Sequence, residues 1–250
     1  ALLLPIVQGA AAQNIGKLPN PANFQSGDLI WPKKSGVYIP YKYMSKRGPE
    51  EDLRQWNNEK ADFLRRAAAS NSATDKAAAE NVANMSFNEF RDKYLRGRDM
   101  VPLGGSGSGD LAAVGHVGIV EIDAQKRAWV IEAMPETGVA RMSYQAWLSN
   151  RAGEIVWHGR LANMEAARRA TIVDAAKSYL GKPYVFWNYD LADDSGFYCS
   201  KLVWLAIRKA TDVAVDGNPE PKRKFWLSPK QILYAALIQR LFDPGLYAIE

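Results

Sequence analysis

The 250-residue sequence holds one cysteine and two histidines. A single cysteine excludes an internal disulfide, and a structural zinc site would lack its usual thiolates. No run of about 18 consecutive apolar residues occurs, so no transmembrane helix is predicted. Basic residues form no stripe interleaved with aromatics, so nucleic-acid binding is not expected. What remains is ordinary for a globular chain: 47% hydrophobic and 24% charged residues, enough length for one sizeable domain or two small ones. The net charge of +5 suits anionic surroundings such as cell-wall polymer or lipid headgroups. A mild basic excess serves equally well as a solubility setting.

Residues 1–7 are apolar and precede Gly9-Ala10-Ala11-Ala12-Gln13. This looks like the end of a signal-peptide apolar region with a small-residue cleavage site, which predicts an exported protein. The alternative is an N-terminal arm packed on the domain. Residues 1–26 are therefore read as arm or signal remnant, and residues 27–250 as the domain. Gly27-Asp28-Leu29-Ile30-Trp31 reads as a turn entering a short strand, ended by Pro32. Residues 33–110 change character and read as a mainly helical insertion. Within it, residues 50–69 carry Leu53, Trp56, Phe63 and Leu64 in rough helical spacing. Residues 73–85 are Ala-rich, and Ser86-Phe87-Asn88-Glu89 is a capping box opening a helix through Tyr94. The glycine- and serine-rich residues 104–109 read as a flexible loop.

Strand signals follow at residues 116–122 and 128–133, separated by turn residues, and again at 138–142 and 154–157. A short helix fits residues 144–148. Residues 163–180 have a helical stripe of Ile172, Val173, Ala176 and Leu180, stopped at Gly181. Residues 199–210 form a second apolar helix, and Ser228-Pro229 opens a third. Strands followed by helices give an α+β architecture, a small antiparallel sheet packed on helices.

Cys199 follows the Asp193-Asp194-Ser195-Gly196 loop and precedes Leu202, Val203, Leu205, Ala206 and Ile207. It thus sits at or near a helix N-terminus, where the dipole and free N–H groups stabilise a thiolate and can bind an oxyanion. A lone cysteine there is otherwise a small buried residue. No histidine lies after Cys199, so any Cys–His pair runs histidine first. His116 opens a strand between Gly115 and Val117-Gly118, an odd choice for a core position; His158, ending a strand before Gly159, is less distinctive. Glu132 lies inside Val130-Ile131-Glu132-Ala133, and burying it without a partner is costly. An antiparallel neighbour strand can set it beside His116, fixing the ring tautomer. The plain alternative is a glutamate facing solvent.

Gly181-Lys182-Pro183-Tyr184 followed by Tyr198-Cys199-Ser200-Lys201-Leu202-Val203 resembles the nucleophile segment of NlpC-type papain-like cysteine peptidases. Gly115-His116-Val117-Gly118-Ile119-Val120 and Val130-Ile131-Glu132-Ala133 resemble their base and third-residue strands. The histidine segment comes first here, as in the circularly permuted YiiX/YaeF-like branch, with lecithin retinol acyltransferase a distant relative. Gly27-Asp28-Leu29-Ile30 is similar to the opening strand of that permuted domain, and Ser228-Pro229 to a segment near its end. The resemblance covers residues 27–32 and 111 to about 240. It implies a permuted papain-like fold with Cys199 as nucleophile, His116 as base and Glu132 as third member. Tyr184, Tyr198 and Ser200 are implied as substrate or oxyanion contacts, and no cofactor or metal is needed. The 33–110 insertion is far longer than the usual connection, and Val185 replaces an Asp that many relatives carry.

These features imply amide hydrolysis, with peptidoglycan stem peptides as the first substrate class. A lipid-directed acyl hydrolase or acyltransferase is the second reading, with Tyr184, Phe186, Trp187, Tyr189, Phe197 and Tyr198 as an apolar acyl slot. The third is a non-catalytic binding module whose insertion docks a partner. Fatty-acyl ester cleavage marks the second, and an inert Cys199 thiol the third.

Overall fold

Alternation along a strand sends neighbouring side chains to opposite faces of a sheet, and β1 (Leu29–Lys33) uses both faces. Leu29 and Trp31 join a core shared with helices, while Ile30 joins a second core on the other face. This computed structural model describes residues 18–33, 48–69, 71, 73–90, 115–223 and 226–244. The N-terminal 17 residues, the glycine-rich loop at 104–109 and the predicted continuation of a helix to Tyr94 lie outside these.

The remaining strands are β2 (Gly118–Ile122), β3 (Ala128–Met134), β4 (Gly138–Ser143), β5 (Ile155–Leu161) and β6 (Ile238–Phe242). They form one six-stranded antiparallel sheet in the order β4-β3-β2-β1-β5-β6. The β2–β3 hairpin turns through Asp123, which accepts from the backbone N–H groups of Gln125 and Arg127, the usual use of Asp in a turn.

One strand expectation needs correction, and one strand was not expected. Pro32 does not end β1. The strand continues to Lys33, because β2 pairs only with Leu29 and Ile30, so β1 past Ile30 is paired on the β5 side alone. A proline is tolerated where one edge needs no N–H donor. β6 carried no recognisable alternation: its three central residues are exposed, and it is an edge strand on β5.

Helices α5 (Ala166–Lys177) and α6 (Cys199–Thr211) cover one face of the sheet through Ile172, Val173, Ala176, Leu202, Val203 and Ile207. Leu180, expected on that stripe, is 42% exposed because α5 ends at Lys177 and the chain turns away. The short α4 (Tyr144–Ser149), capped by the Ser143 side chain, brings Tyr144 and Trp147 to the other face. α7 (Pro229–Leu233) opens with a full capping box from Ser228 and Gln231. Trp31 in β1 donates its indole N–H to the Pro229 carbonyl at 3.1 Å, tying α7 to the sheet.

The described part of the 33–110 region is helical: α1 (Pro49–Ala68), α2 (Ala73–Ala83) and α3 (Phe87–Phe90). Glu50, Glu51 and Asp52 at the start of α1 and Arg65 and Arg66 at its end match its dipole. The Ser86–Glu89 capping box forms as expected. The buried face of α1 is Asp52, Trp56, Phe63 and Ala67, whereas Leu53 is 45% exposed. Trp56 stacks on Phe90 at 4.2 Å, and both lie within 6.0 Å of the Trp187 ring.

The aromatic contacts outweigh the charges in holding this unit. Each buried large apolar side chain contributes about 1.5–3 kcal/mol, whereas an ion pair made by a solvent-exposed arginine, such as Arg54–Glu51, is screened by water and contributes little. Trp56→Ala is therefore expected to cost about 3–5 kcal/mol of global stability in urea unfolding. Arg54→Ala is expected to leave the urea midpoint essentially unchanged, because its ion pair is made in solvent. A loss below about 1 kcal/mol for Trp56→Ala would mean that the helices are an appendage rather than part of the core.

Candidate active site

The first turn of α6 leaves N–H groups without intrahelical partners, since the first helical bond runs from Leu202 N–H to the Tyr198 carbonyl at 3.0 Å. Cys199 is the first residue of that turn and is 2% exposed. Its approach is fixed from upstream. The Val185 N–H donates to the Phe197 carbonyl at 2.9 Å, and the Phe197 N–H to the Pro183 carbonyl at 3.0 Å. These bonds lay the Pro183-Tyr184-Val185 segment alongside the residues preceding Cys199. A Cβ on Gly196 would stand 2.4 Å from Val185 Cγ2, so the two strands of this clasp touch. That contact gives Val185 an apolar packing role.

His116 precedes β2 and is buried. Its Nε2 meets Glu132 Oε2 at 2.7 Å, and its ring also hydrogen-bonds the Cys199 side chain. Glu132 comes from β3, next to Gly118 of β2. A Cβ at Gly118 would fall 2.8 Å from Val130 Cγ1 and 3.7 Å from Glu132 Cβ. A glycine here lets β2 lie close against the Val130 side chain of β3, while Glu132 is only in ordinary contact. The structure thus brings together the three residues expected to meet: Cys199, His116 and Glu132.

Further partners of Glu132 were not foreseen. Trp147 Nε1 donates to Oε2 at 2.7 Å, and Arg151 Nη2 reaches both oxygens at 3.0 Å. Arg151 also lies over the Trp147 ring, 4.4 Å from its centroid. Trp147 and Arg151 stand four apart in sequence, a spacing that puts two side chains on one side of a helical turn. Four residues between a short helix and a turn gave no period from which to read this.

Burial opposes charge on both members of the pair, and the partners overcome it. Glu132 is driven down to about 2 by His116, Arg151 and Trp147 against its burial. His116 is raised to about 9 by Glu132 and Cys199 against its burial. The pair is therefore an ion pair at neutral pH.

Tyr184 is half-buried, within electrostatic reach of Cys199. Burial and the neighbouring Cys199 push its hydroxyl far above the ordinary tyrosine range, so it stays protonated. The expectation for Tyr198 and Ser200 is corrected. Both are fully buried; the Tyr198 hydroxyl accepts from Leu227 N–H at 3.1 Å, and the Ser200 hydroxyl donates to the Leu227 carbonyl. Their side chains pin the segment before α7 instead of facing a substrate. The aromatic run is also packed: Phe186, Trp187, Tyr189 and Phe197 are each at most 4% exposed, which leaves no open acyl slot among these four.

A second buried histidine forms a similar cluster. His158 Nε2 meets Asp28 Oδ2 at 2.7 Å, and Arg160 binds both Asp28 oxygens at 2.6 and 2.8 Å. The ring packs on Phe24, centroids 4.8 Å apart.

Residues 106–231 match the model of the permuted papain-like amidases, the YaeF/YiiX or C92 family. The chain belongs to this family. The match contains His116, Glu132 and Cys199, and it leaves α1, α2 and α3 outside. A curated member, the uncharacterized protein YiiX of Escherichia coli K12, is 29% identical over 118 residues, 47% of this chain and 55% of YiiX. The chain thus matches about half the length of that relative. The crystal structure of metalloprotein yiiX from Escherichia coli O157:H7 aligns with a TM-score of 0.46 and 16% identity, over 87% of this chain and 96% of that one. No group of three or more His, Cys, Asp or Glu side chains is placed to hold a metal ion among the described residues. No helix among them is long and apolar enough to cross a membrane.

The sign of the two shifts fixes a pH window for the pair. Glu132 stabilises the fold above its ordinary value of 4.5 and loses that contribution as pH falls toward about 2. His116 stabilises it below 6.5 and loses that contribution as pH rises toward about 9. Glu132→Gln should therefore destabilise most between about pH 4.5 and 6.5. The gap to wild type should shrink by about 1–3 kcal/mol as pH rises to 9. Denaturant unfolding of both proteins across pH measures this difference, and a gap independent of pH would rule out the ion pair.

Proposed function

We propose that this chain is a cysteine amidase in which Cys199 is the nucleophile, His116 the base and Glu132 the residue that orients and charges that base. The reading is carried by one observation: the His116 ring bridges the Glu132 carboxylate, at 2.7 Å, and the Cys199 side chain. The Cys199 sulfur attacks the amide carbonyl carbon while its proton resides on His116. The oxyanion that forms is received at the α6 N-terminus, where the Cys199 backbone N–H has no intrahelical partner, with the protonated Tyr184 hydroxyl at the same end. Collapse breaks the C–N bond, and His116 gives its proton to the departing amine. Water then attacks the thioester as His116 takes one of its protons, and the acid leaves as Cys199 regains its hydrogen.

Peptidoglycan stem peptides are the substrate class that we favour, in an exported protein. The family is one of amidases, and a net charge of +5 draws the enzyme to an anionic polymer. A lipid-directed acyl hydrolase or acyltransferase would require an apolar slot beside the sulfur, and five of the six aromatic residues offered for it, all but Tyr184, are buried in packing.

Incubation of muropeptides with the protein, followed by mass spectrometry, tests the proposal. Wild type is expected to release a shortened peptide, and Cys199→Ala and His116→Ala to lower the rate at least about 10³-fold. Rapid labelling of Cys199 by iodoacetamide, slowed in His116→Ala, is the companion result. Cleavage of a fatty-acyl ester without any muropeptide product would transfer the chemistry to lipids. An unreactive thiol with no product would return the chain to the class of binding modules.

A further inference from the structure

Arg151, in the turn after α4, brings a second cation to the Glu132 carboxylate, and it is held there from several sides. Its Nη2 reaches both carboxylate oxygens at 3.0 Å and Met134 Sδ at 3.8 Å. Its Nη1 donates to the Trp147 carbonyl at 3.3 Å, and the guanidinium lies over the Trp147 ring, 4.4 Å from its centroid. The Arg151 backbone N–H donates to the Leu148 carbonyl at 2.8 Å, so the turn fixes the stem as well. The Arg151 side chain is 8% exposed and that of Glu132 1%, which leaves little water to screen the pair. A guanidinium keeps its charge at every pH a folded protein meets.

One carboxylate therefore serves two cations, since His116 Nε2 meets the same Oε2 at 2.7 Å. Each cation weakens the hold of the carboxylate on the other, because they repel across a short buried distance. The charges of Arg151, Glu132 and protonated His116 leave a net positive charge while the Cys199 thiol keeps its proton, and none once it is lost. Without Arg151 the same step would run from neutral to net negative, and an uncompensated buried charge is costly. The other groups that face the site do not supply this positive charge. Tyr184 stays protonated, and Asp52 of α1 and Glu136, between β3 and β4, act on it as negative charges.

We propose that Arg151 is a positioning residue for this chemistry: by holding a share of the Glu132 carboxylate, its fixed charge limits how firmly His116 keeps its proton and leaves the buried cluster neutral once the sulfur has lost its own. The inference rests on the reading of Cys199 as nucleophile and His116 as base. When the C–N bond breaks, its electron pair goes to nitrogen, and the imidazolium N–H supplies the proton that the departing amine takes. An imidazolium paired with a carboxylate that had no second cation would give up that proton less readily. Arg151 acts through Glu132, and the reacting atoms are served by His116.

The test follows the His116 ring by NMR across pH in the full chain carrying Cys199→Ala, which removes the coupled titration of the thiol. Arg151→Gln keeps a donor for Glu132 and loses the charge; it is expected to raise the His116 midpoint by about one pH unit. Arg151→Met gives up the donor too and should move the midpoint the same way, so either variant that folds is sufficient. Arg151→Lys should return the midpoint to within about 0.3 pH unit of the parent, because it keeps the charge without the planar fork. With Cys199 in place, iodoacetamide labelling of Arg151→Gln should reach half its maximal rate at higher pH, by a smaller step, since the sulfur stands beyond His116 in the chain of contacts. Muropeptide cleavage by the same variant should lose about tenfold in kcat at neutral pH, with KM within about twofold. An unmoved or lowered His116 midpoint in Arg151→Gln, or an Arg151→Lys variant that titrates like it, overturns the proposal. Muropeptide cleavage by wild type with an unmoved midpoint would leave the amidase standing and remove only the role of Arg151. A raised midpoint with no cleavage product from wild type would uphold the link from Arg151 to His116 and remove the amidase.

Discussion

The site is organised around one costly act, the burial of the Glu132 carboxylate. Removing such an ion from water costs several kcal/mol even after relaxation, and at 1% exposure Glu132 has almost no water. Its compensation comes from His116, Trp147 and Arg151 together. Each donor fixes something. Trp147 and Arg151 set α4 and the residues after it against β3, and His116 is held by its Nε2 so that the rest of the ring turns to Cys199. Loss of one donor leaves a charge that the others cannot fully solvate, so the geometry of the imidazole follows from the electrostatics of a fully buried carboxylate behind it.

The Asp28–His158–Arg160 cluster shows that this device is not catalytic by nature. Its histidine–carboxylate distance is the same 2.7 Å, and its carboxylate also carries an arginine. What differs is the rest of the imidazole's surroundings. Beside His158 stands Phe24; beside His116 stands a sulfur at a helix start. The first arrangement ties the entrance of β1 to β5, and the second gives the proton of the thiol somewhere to go. The proposed function rests on that one neighbour, not on the acid–base pair.

This explains which parts of the molecule were legible in the sequence. The β2–β3 hairpin, α5 and α6 announce themselves because turn chemistry and apolar period agree with their packing. Glu132 was legible as a carboxylate in an apolar strand, and His116 as an imidazole between glycines, because both break a local rule. Tyr198 and Ser200 were misread for the opposite reason: they flank the nucleophile in sequence, but helix geometry turns their hydroxyls toward Leu227. Arg151, Asp28 and Arg160 break no rule where they stand. Their partners come from distant segments, and only the closed sheet brings them together. β6 and the exposure of Leu180 depend on where an edge strand and a helix end happen to meet solvent.

The helices of the 48–90 region bear on the site through packing. Trp187 follows the clasp that sets Cys199 in place, and its ring is enclosed by Trp56, Phe87 and Phe90. Asp52, buried in the first turn of α1, accepts from the Trp187 indole at 3.5 Å and acts on Tyr184 electrostatically. A carboxylate in that turn is favoured by the helix dipole, so α1 can carry it into an apolar contact at reduced cost. The aromatic segment around Cys199 is thus covered by an element that the family model does not span. On the proposed function, selection of a substrate falls to α1 and its neighbours, and the Glu132 cluster holds the imidazole.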